Sequence, residues 1–288
     1  MSQREVGLLL HSISWAVQED EIELAPQIKL GRTPGSIVGQ LYGDLCRDAG
    51  LDEGEPFDFE SHILLGATYP GAEYSDGHSY FSPLVRLANV IALVLQEPIG
   101  MSRLIESADG FSTCTLTEFL HSHGIMTKFL SGSNPAPVLD AEAIVDIDRA
   151  WRVSEAYWIT NPMMSRLVRA LARFEIGWRV ATIEDLWLNL GISLALILPG
   201  MRPEERCEKL ASVFGNDLIT ASVEQFFEIH RGLVGGCVIA PDQSLSPLLA
   251  VYGLTAMLLR AVLLDEKQAK DADEGMLRLE HIFSPEAI

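Results

Sequence analysis

The sequence predicts an α+β chain in two parts: a mixed, partly β amino-terminal domain over residues 1–135 and an all-helical bundle over residues 140–288. Three observations carry this. Segments before residue 131 are short and punctuated by Gly, Pro and Asp. The stretch SGSNPAPVLDAE (131–142) is rich in loop formers. Beyond it, long stretches of helical apolar periodicity are joined by short turns, the pattern of an antiparallel bundle.

In the first part, IELAPQIKL and SHILLGATY have the β-branched and aliphatic content of strands. PLVRLANVIALVLQEP reads as one clear helix, with Pro83 in its first turn and Pro98 closing it. In the second part, Asp140 is placed to cap a helix carrying Ile144, Ile147, Trp151, Ala156 and Trp158. A turn at Thr160-Asn161-Pro162 precedes MMSRLVRALARFEIGW. IEDLWLNLGISLALIL is apolar on nearly all sides and therefore central. Pro203, Glu204 and Glu205 open a helix that Gly215 ends. Ser222 and Gln225 fit a capping box for the next helix, and LSPLLAVYGLTAMLLRAVLLDEKQAK predicts a long final one.

Composition bounds the function. A chain of 288 residues with 48% hydrophobic content can build a large core. Cys46, Cys114, Cys207 and Cys237 are scattered without metal-type spacing, which suits free thiols and a cytoplasmic location. MSQREVGLLLHSISWAVQEDE lacks a cleavage pattern and reads as mature protein. The apolar stretches 186–201 and 251–264 fall short of the roughly 20 residues of a span, so no membrane partner is expected. Forty acidic against 21 basic side chains give a formal charge of −19, which disfavours RNA as a partner. The acids of EDEIE (19–23) and DEGEPFDFE (52–60) form a solvated surface or a face for a basic protein partner.

Two constellations carry candidate chemistry. EFLHSHG (118–124) holds Glu118, His121 and His123, and the two histidines are the candidate metal ligands. TLTEFLHSHG reads as a helix, where positions i and i+2 diverge, so neither a metal site nor a cofactor is expected. EQFFEIHRGLVGGC (224–237) places His230 and Arg231, the candidate catalytic pair, before a double glycine. Val223, Phe227, His230 and Val234 share one helical face, so His230 also reads as a packed histidine, with Gly235-Gly236 ending the helix in a left-handed cap.

The order RFEIGWRVATIEDLWLNLGISLALILPGMRPEERCEKLASVFG, then VEQFFEIHRGLVGG, then a long closing helix resembles the ApeA-like branch of the HEPN superfamily over roughly residues 145–267. The resemblance implies an all-helical, usually dimeric domain. It also implies, for active members, metal-independent RNA cleavage by an arginine and a histidine four to six residues later. Histidine would move the proton of the attacking ribose hydroxyl and arginine would stabilise charge on the scissile phosphate. In this sequence His230 takes the arginine place, Arg231 the following polar place and Gly235 the histidine place. Seating Arg231 as the motif arginine does not help, because no histidine stands four to six residues after it; Arg278 and His281 are too close together. The copy is therefore degenerate. The expectation is a non-catalytic interaction or dimerisation component of a prokaryotic defence or toxin-linked system. The alternatives are an endoribonuclease whose site is rebuilt from His230, Arg231 and partner-supplied residues, and a metal-dependent hydrolase using His121 and His123.

Overall fold

The computed structural model describes residues 3–11, 13–25, 28–32, 62–70, 81–96, 100–107, 114–119, 138–160, 164–179, 182–214, 217–238 and 245–282. The protein is α+β, with its strands in the amino-terminal part and its helices concentrated after residue 140. It divides into two compact units that meet in sequence at Asp148 and Arg149.

In the first unit, strands β1 (Gln3–His11), β3 (Glu21–Ala25), β4 (Ile28–Arg32), β5 (His62–Pro70), β6 (Gly100–Ser107) and β7 (Cys114–Phe119) form one sheet, with β2 (Ser14–Trp15) pairing separately with β8 (Val138–Leu139). The six-stranded order is β3-β4-β5-β1-β6-β7, every pairing antiparallel. β1, which the sequence presents only as a short apolar run, lies inside the sheet; Leu8 and Leu10 alternate onto its buried face. Helix α1 (Phe81–Leu95) packs on β1 and β5 through Leu84, Leu87, Ala88 and Ile91. Pro83 sits in its first turn, and Gln96 follows its end at φ 56.

Cys114–Phe119 is a strand paired with β6, which corrects the helical reading of TLTEFLHSHG. Thr115 and Thr117 alternate with larger residues, a period of two that outweighs the apolar spacing of the longer window. His121 and His123 lie outside the described residues.

The second unit is helical: most of α2 (Ala141–Thr160), then α3 (Arg166–Arg179), α4 (Ile183–Ile197), α5 (Pro203–Phe214), α6 (Asp217–Val234), α7 (Ser246–Leu263), α8 (Glu266–Glu274) and the short α9 (Leu279–Ile282). α3 packs along α4, α4 against α6, α6 against α5 and α7, and α8 against α7 and α3. Three helix starts are built from side-chain caps, while α7 begins at Leu245 without one and has Pro247 in its first turn. Asp140 Oδ1 accepts from the Ala143 N–H at 2.9 Å, as the sequence predicts. Thr182 Oγ1 accepts from the Asp185 N–H at 3.2 Å and donates to Asp185 Oδ2 at 2.6 Å. Ser222 and Gln225 form no such box, because α6 begins five residues earlier, at Asp217. The long final helix is two: Asp265, extended at φ −134, interrupts it and caps α8 through the Lys267 and Gln268 N–H groups. Among the described residues, α7 alone is long and apolar enough to cross a membrane by length and composition, and 61% of that window is buried inside the fold.

Asp273 of α8 reaches across to the start of α3. Its Oδ1 accepts from Ser165 Oγ at 2.6 Å and from the Leu167 N–H at 3.2 Å, while Ser165 Oγ accepts from the Val168 N–H at 3.1 Å. One carboxylate thus supplies two partners to a helix end that would otherwise be orphaned. Asp273→Ala is expected to lower unfolding free energy by about 1–2 kcal/mol in urea titration, whereas Glu274→Ala, whose contact with Lys270 is an exposed ion pair at 3.9 Å, should change it by less than about 0.5 kcal/mol.

Candidate functional site

The apolar sequence of α4 has three small or polar positions on successive alternate residues, and each meets a neighbour. Asn189 Nδ2 donates to the Asp185 carbonyl at 2.8 Å, and its Oδ1 accepts from Arg173 Nη1 at 3.2 Å. Ser193 Oγ donates to the Ala170 carbonyl at 2.9 Å. Gly191 faces the other way, where a Cβ would overlap the His230 imidazole at Nε2 and Cδ2 and stand 2.9 Å from Cε1. The glycine is there to admit the histidine.

His230 completes an aromatic ladder between α4 and α6. The Trp187 and Phe226 rings stack at 4.8 Å and 15°, and Phe226 stacks on His230 at 6.1 Å and 19°. Phe227 adds an edge contact to Phe226 at 5.4 Å. Trp187 and Gly191 lie one turn apart on α4, as do Phe226 and His230 on α6, so two turns of each helix interlock. The face that carries His230 is Val223, Phe226 and Phe227; Val234, placed there by sequence spacing, is 68% exposed and lies past the end of the helical contact.

Electrostatics fix the protonation state. Burial, and after it the Arg206 guanidinium, hold the His230 imidazole below its ordinary range, and a hydrogen bond with the Leu188 backbone opposes them. The ring is therefore neutral at pH 7. Its Nε2 is buried without a hydrogen-bond partner. Arg231 is exposed on the next position of the helix, where neighbours diverge rather than converge. Sequence adjacency thus sets the half-buried His230 against α4 and leaves Arg231 exposed.

The double glycine closes α6. Gly236 has φ 89, its N–H donates to the Leu233 carbonyl at 3.0 Å, and the Cys237 N–H donates to the Gly232 carbonyl at 2.9 Å. This is a Schellman cap with glycine at the left-handed position.

A concavity of about 420 Å³ lies between α2 and α8, lined by Arg152, Val153, Ala156, Tyr157, Glu266 and Lys270 among others. Burial, and then Asp273, Glu274 and Glu266, raise the Tyr157 phenol above its ordinary range, so it stays a neutral donor. Among the described residues no group of three or more His, Cys, Asp or Glu is placed to hold a metal.

Gly191 and Phe226 are the residues that sequence reading misses, whereas Trp187, at helical spacing in an apolar helix, reads as a packing residue and is buried. A glycine inside an apolar helix costs about 1 kcal/mol, and that cost is the signal of a close approach.

Gly191→Ala should destabilise the protein by about 1–3 kcal/mol, because the added methyl forces the imidazole out of its seat. In the His230→Ala background the same change should cost much less, a coupling measurable by urea unfolding of all four members of the cycle. His230 also makes stability pH-dependent. Its folded pKa is lowered, so the unfolded chain binds the proton first and stability falls as pH drops through about 6.5 toward the folded pKa. His230→Asn should flatten that part of the curve of unfolding free energy between pH 8 and pH 5.

No protein-family model, curated protein or solved structure matches this chain.

Proposed function

We propose that the chain is a non-catalytic protein-interaction component, acting through its helical bundle as a homodimer or with another protein. The observation that supports this is the seat of His230: neutral, packed between Gly191 and Phe226, its Nε2 closed off, and directed away from Arg231. A general base must reach the proton it removes, and an arginine must share that site to stabilise the phosphate. In this arrangement His230 serves packing. The resemblance to ApeA-like HEPN domains supplies the proposed setting, a prokaryotic defence or toxin-linked system. The acid clusters give a basic partner its complement, and the exposed free Cys237 accords with a cytoplasmic location.

Labelled single-stranded RNA incubated with the purified protein, with and without EDTA, should remain intact. Cleavage that persists in EDTA and vanishes in Arg231→Ala would overturn the reading in favour of a metal-independent endoribonuclease; cleavage that EDTA abolishes would point to His121 and His123. Sedimentation over a concentration series should show a dimer or a stable complex with a co-purified protein, and a monomer at all concentrations with nothing retained would also overturn it.

A further inference from the structure

One stretch of the helical unit runs against the charge of the whole chain. From Arg149 to Arg179 there are six arginines, no lysine and two glutamates, in a protein of formal charge −19. On α3, Arg166, Arg169 and Arg173 are all exposed at positions i, i+3 and i+7, a row about 10 Å long. α4 lies directly beside this row, tied to it by the Arg173 to Asn189 and Ser193 to Ala170 hydrogen bonds. Asn189 and Ser193 therefore mark the side of α4 that faces α3, and Trp187 and Gly191 the side that faces α6. Leu188 and Ile192, one turn apart, fall on the remaining side; Ile192 is 39% exposed and Leu188 half-buried. An apolar strip bordered on its α3 side by the Arg169 and Arg173 positions is the outcome, with the Arg166 guanidinium beyond its end, beside Pro199 and Gly275.

We propose that this α3–α4 face binds an acidic amphipathic helix of a partner protein, with its apolar residues on Leu188 and Ile192 and its carboxylates on Arg166 and Arg169. Guanidinium forks match carboxylates in geometry as well as charge. A helix that presents apolar and acidic residues at i, i+3 and i+4 spacing meets both features at once. A phosphodiester backbone would use the arginines and leave the apolar strip uncovered. A two-fold contact of this face with a second copy would set arginine row against arginine row. The proposal rests on the interaction reading above for its choice of a protein occupant, and its residues are separate from His230 and Arg231.

The test measures fluorescence anisotropy of a short synthetic helical peptide with a leucine stripe flanked by glutamates. Its controls are the same peptide with lysine for glutamate, a glutamate peptide without leucine, and a single-stranded RNA oligomer. The full chain should bind the leucine–glutamate peptide best. Arg166→Glu/Arg169→Glu should weaken that binding by about tenfold or more and gain binding to the lysine peptide. Ile192→Glu should weaken it independently, and both variants should melt like the unaltered protein. Equal binding by the variants, or no preference for the leucine–glutamate peptide, overturns the proposal. RNA binding lost in the arginine variant without peptide binding overturns it in favour of a nucleic acid, and self-association lost in that variant overturns it in favour of a second copy. RNA cleavage in the separate assay would sink the non-catalytic reading while leaving this peptide result standing.

Discussion

The close approach of α6 to α4 at Gly191 is the constraint on which the helical unit depends. Side chains normally hold helix axes 8–10 Å apart, and only where a Cβ is missing can a ring lie flat on the opposing backbone. That gap lets His230 continue the stack that Trp187 and Phe226 begin, in which each well-placed aromatic pair contributes about 0.5–1.5 kcal/mol beyond its buried area. On its opposite side the same helix uses Asn189 and Ser193 to bind α3 by hydrogen bonds. A helix of mean apolar character would slide against its neighbours; three small or polar residues at alternate positions set its register on both sides.

Charge is used locally even though the chain is acidic throughout. Asp140, Asp185 and Asp265 stand at the starts of α2, α4 and α8, and Asp273, near the end of α8, lends its carboxylate to the start of α3, where backbone N–H groups need acceptors and the dipole favours an anion. Glu21 with Lys29 at 2.6 Å and Asp20 with Arg32 at 3.3 Å put charges on and beside the β3–β4 pair at one edge of the six-stranded sheet. Such exposed pairs add little stability, at about 0–1 kcal/mol each, but a charged edge resists pairing with further strands. The arginines of α3 are the exception in placement and sign, and their row lies where α4 leaves apolar surface to solvent.

What could be read in advance depended on whether the determining signal was local. Asp140, Pro83, Pro203 and the double glycine act within four or five residues, and each helix end they mark stands where the sequence places it. β1 and β7 were not legible, because the partner that fixes a strand lies far away: Leu8 pairs with Leu65 on one side and Leu104 on the other. Asp265 stands in sequence among strong helix formers and so presents itself as part of a continuing helix; its side chain instead satisfies the Lys267 and Gln268 N–H groups and forces an extended residue between α7 and α8. The Ser222 box failed for the converse reason, that a capping pattern inside a helix is only a pair of polar surface residues.

The candidate site shows the same limit in a sharper form. Adjacency of His230 and Arg231 suggests chemistry, yet consecutive residues of a helix turn through about 100°, so a pair side by side in sequence is poorly placed to share a substrate. The state of the histidine is decided instead by residue 191, on another helix, and by Arg206 on a third. A glycine there admits the ring, burial removes its charge, and the cation nearby reinforces the loss. Any residue with a side chain at 191 would push the imidazole outward toward water, where its pKa would return toward the ordinary range and its nitrogens would become accessible. The feature that keeps this histidine structural is therefore a side chain that is absent, some forty residues before the motif that draws attention to it.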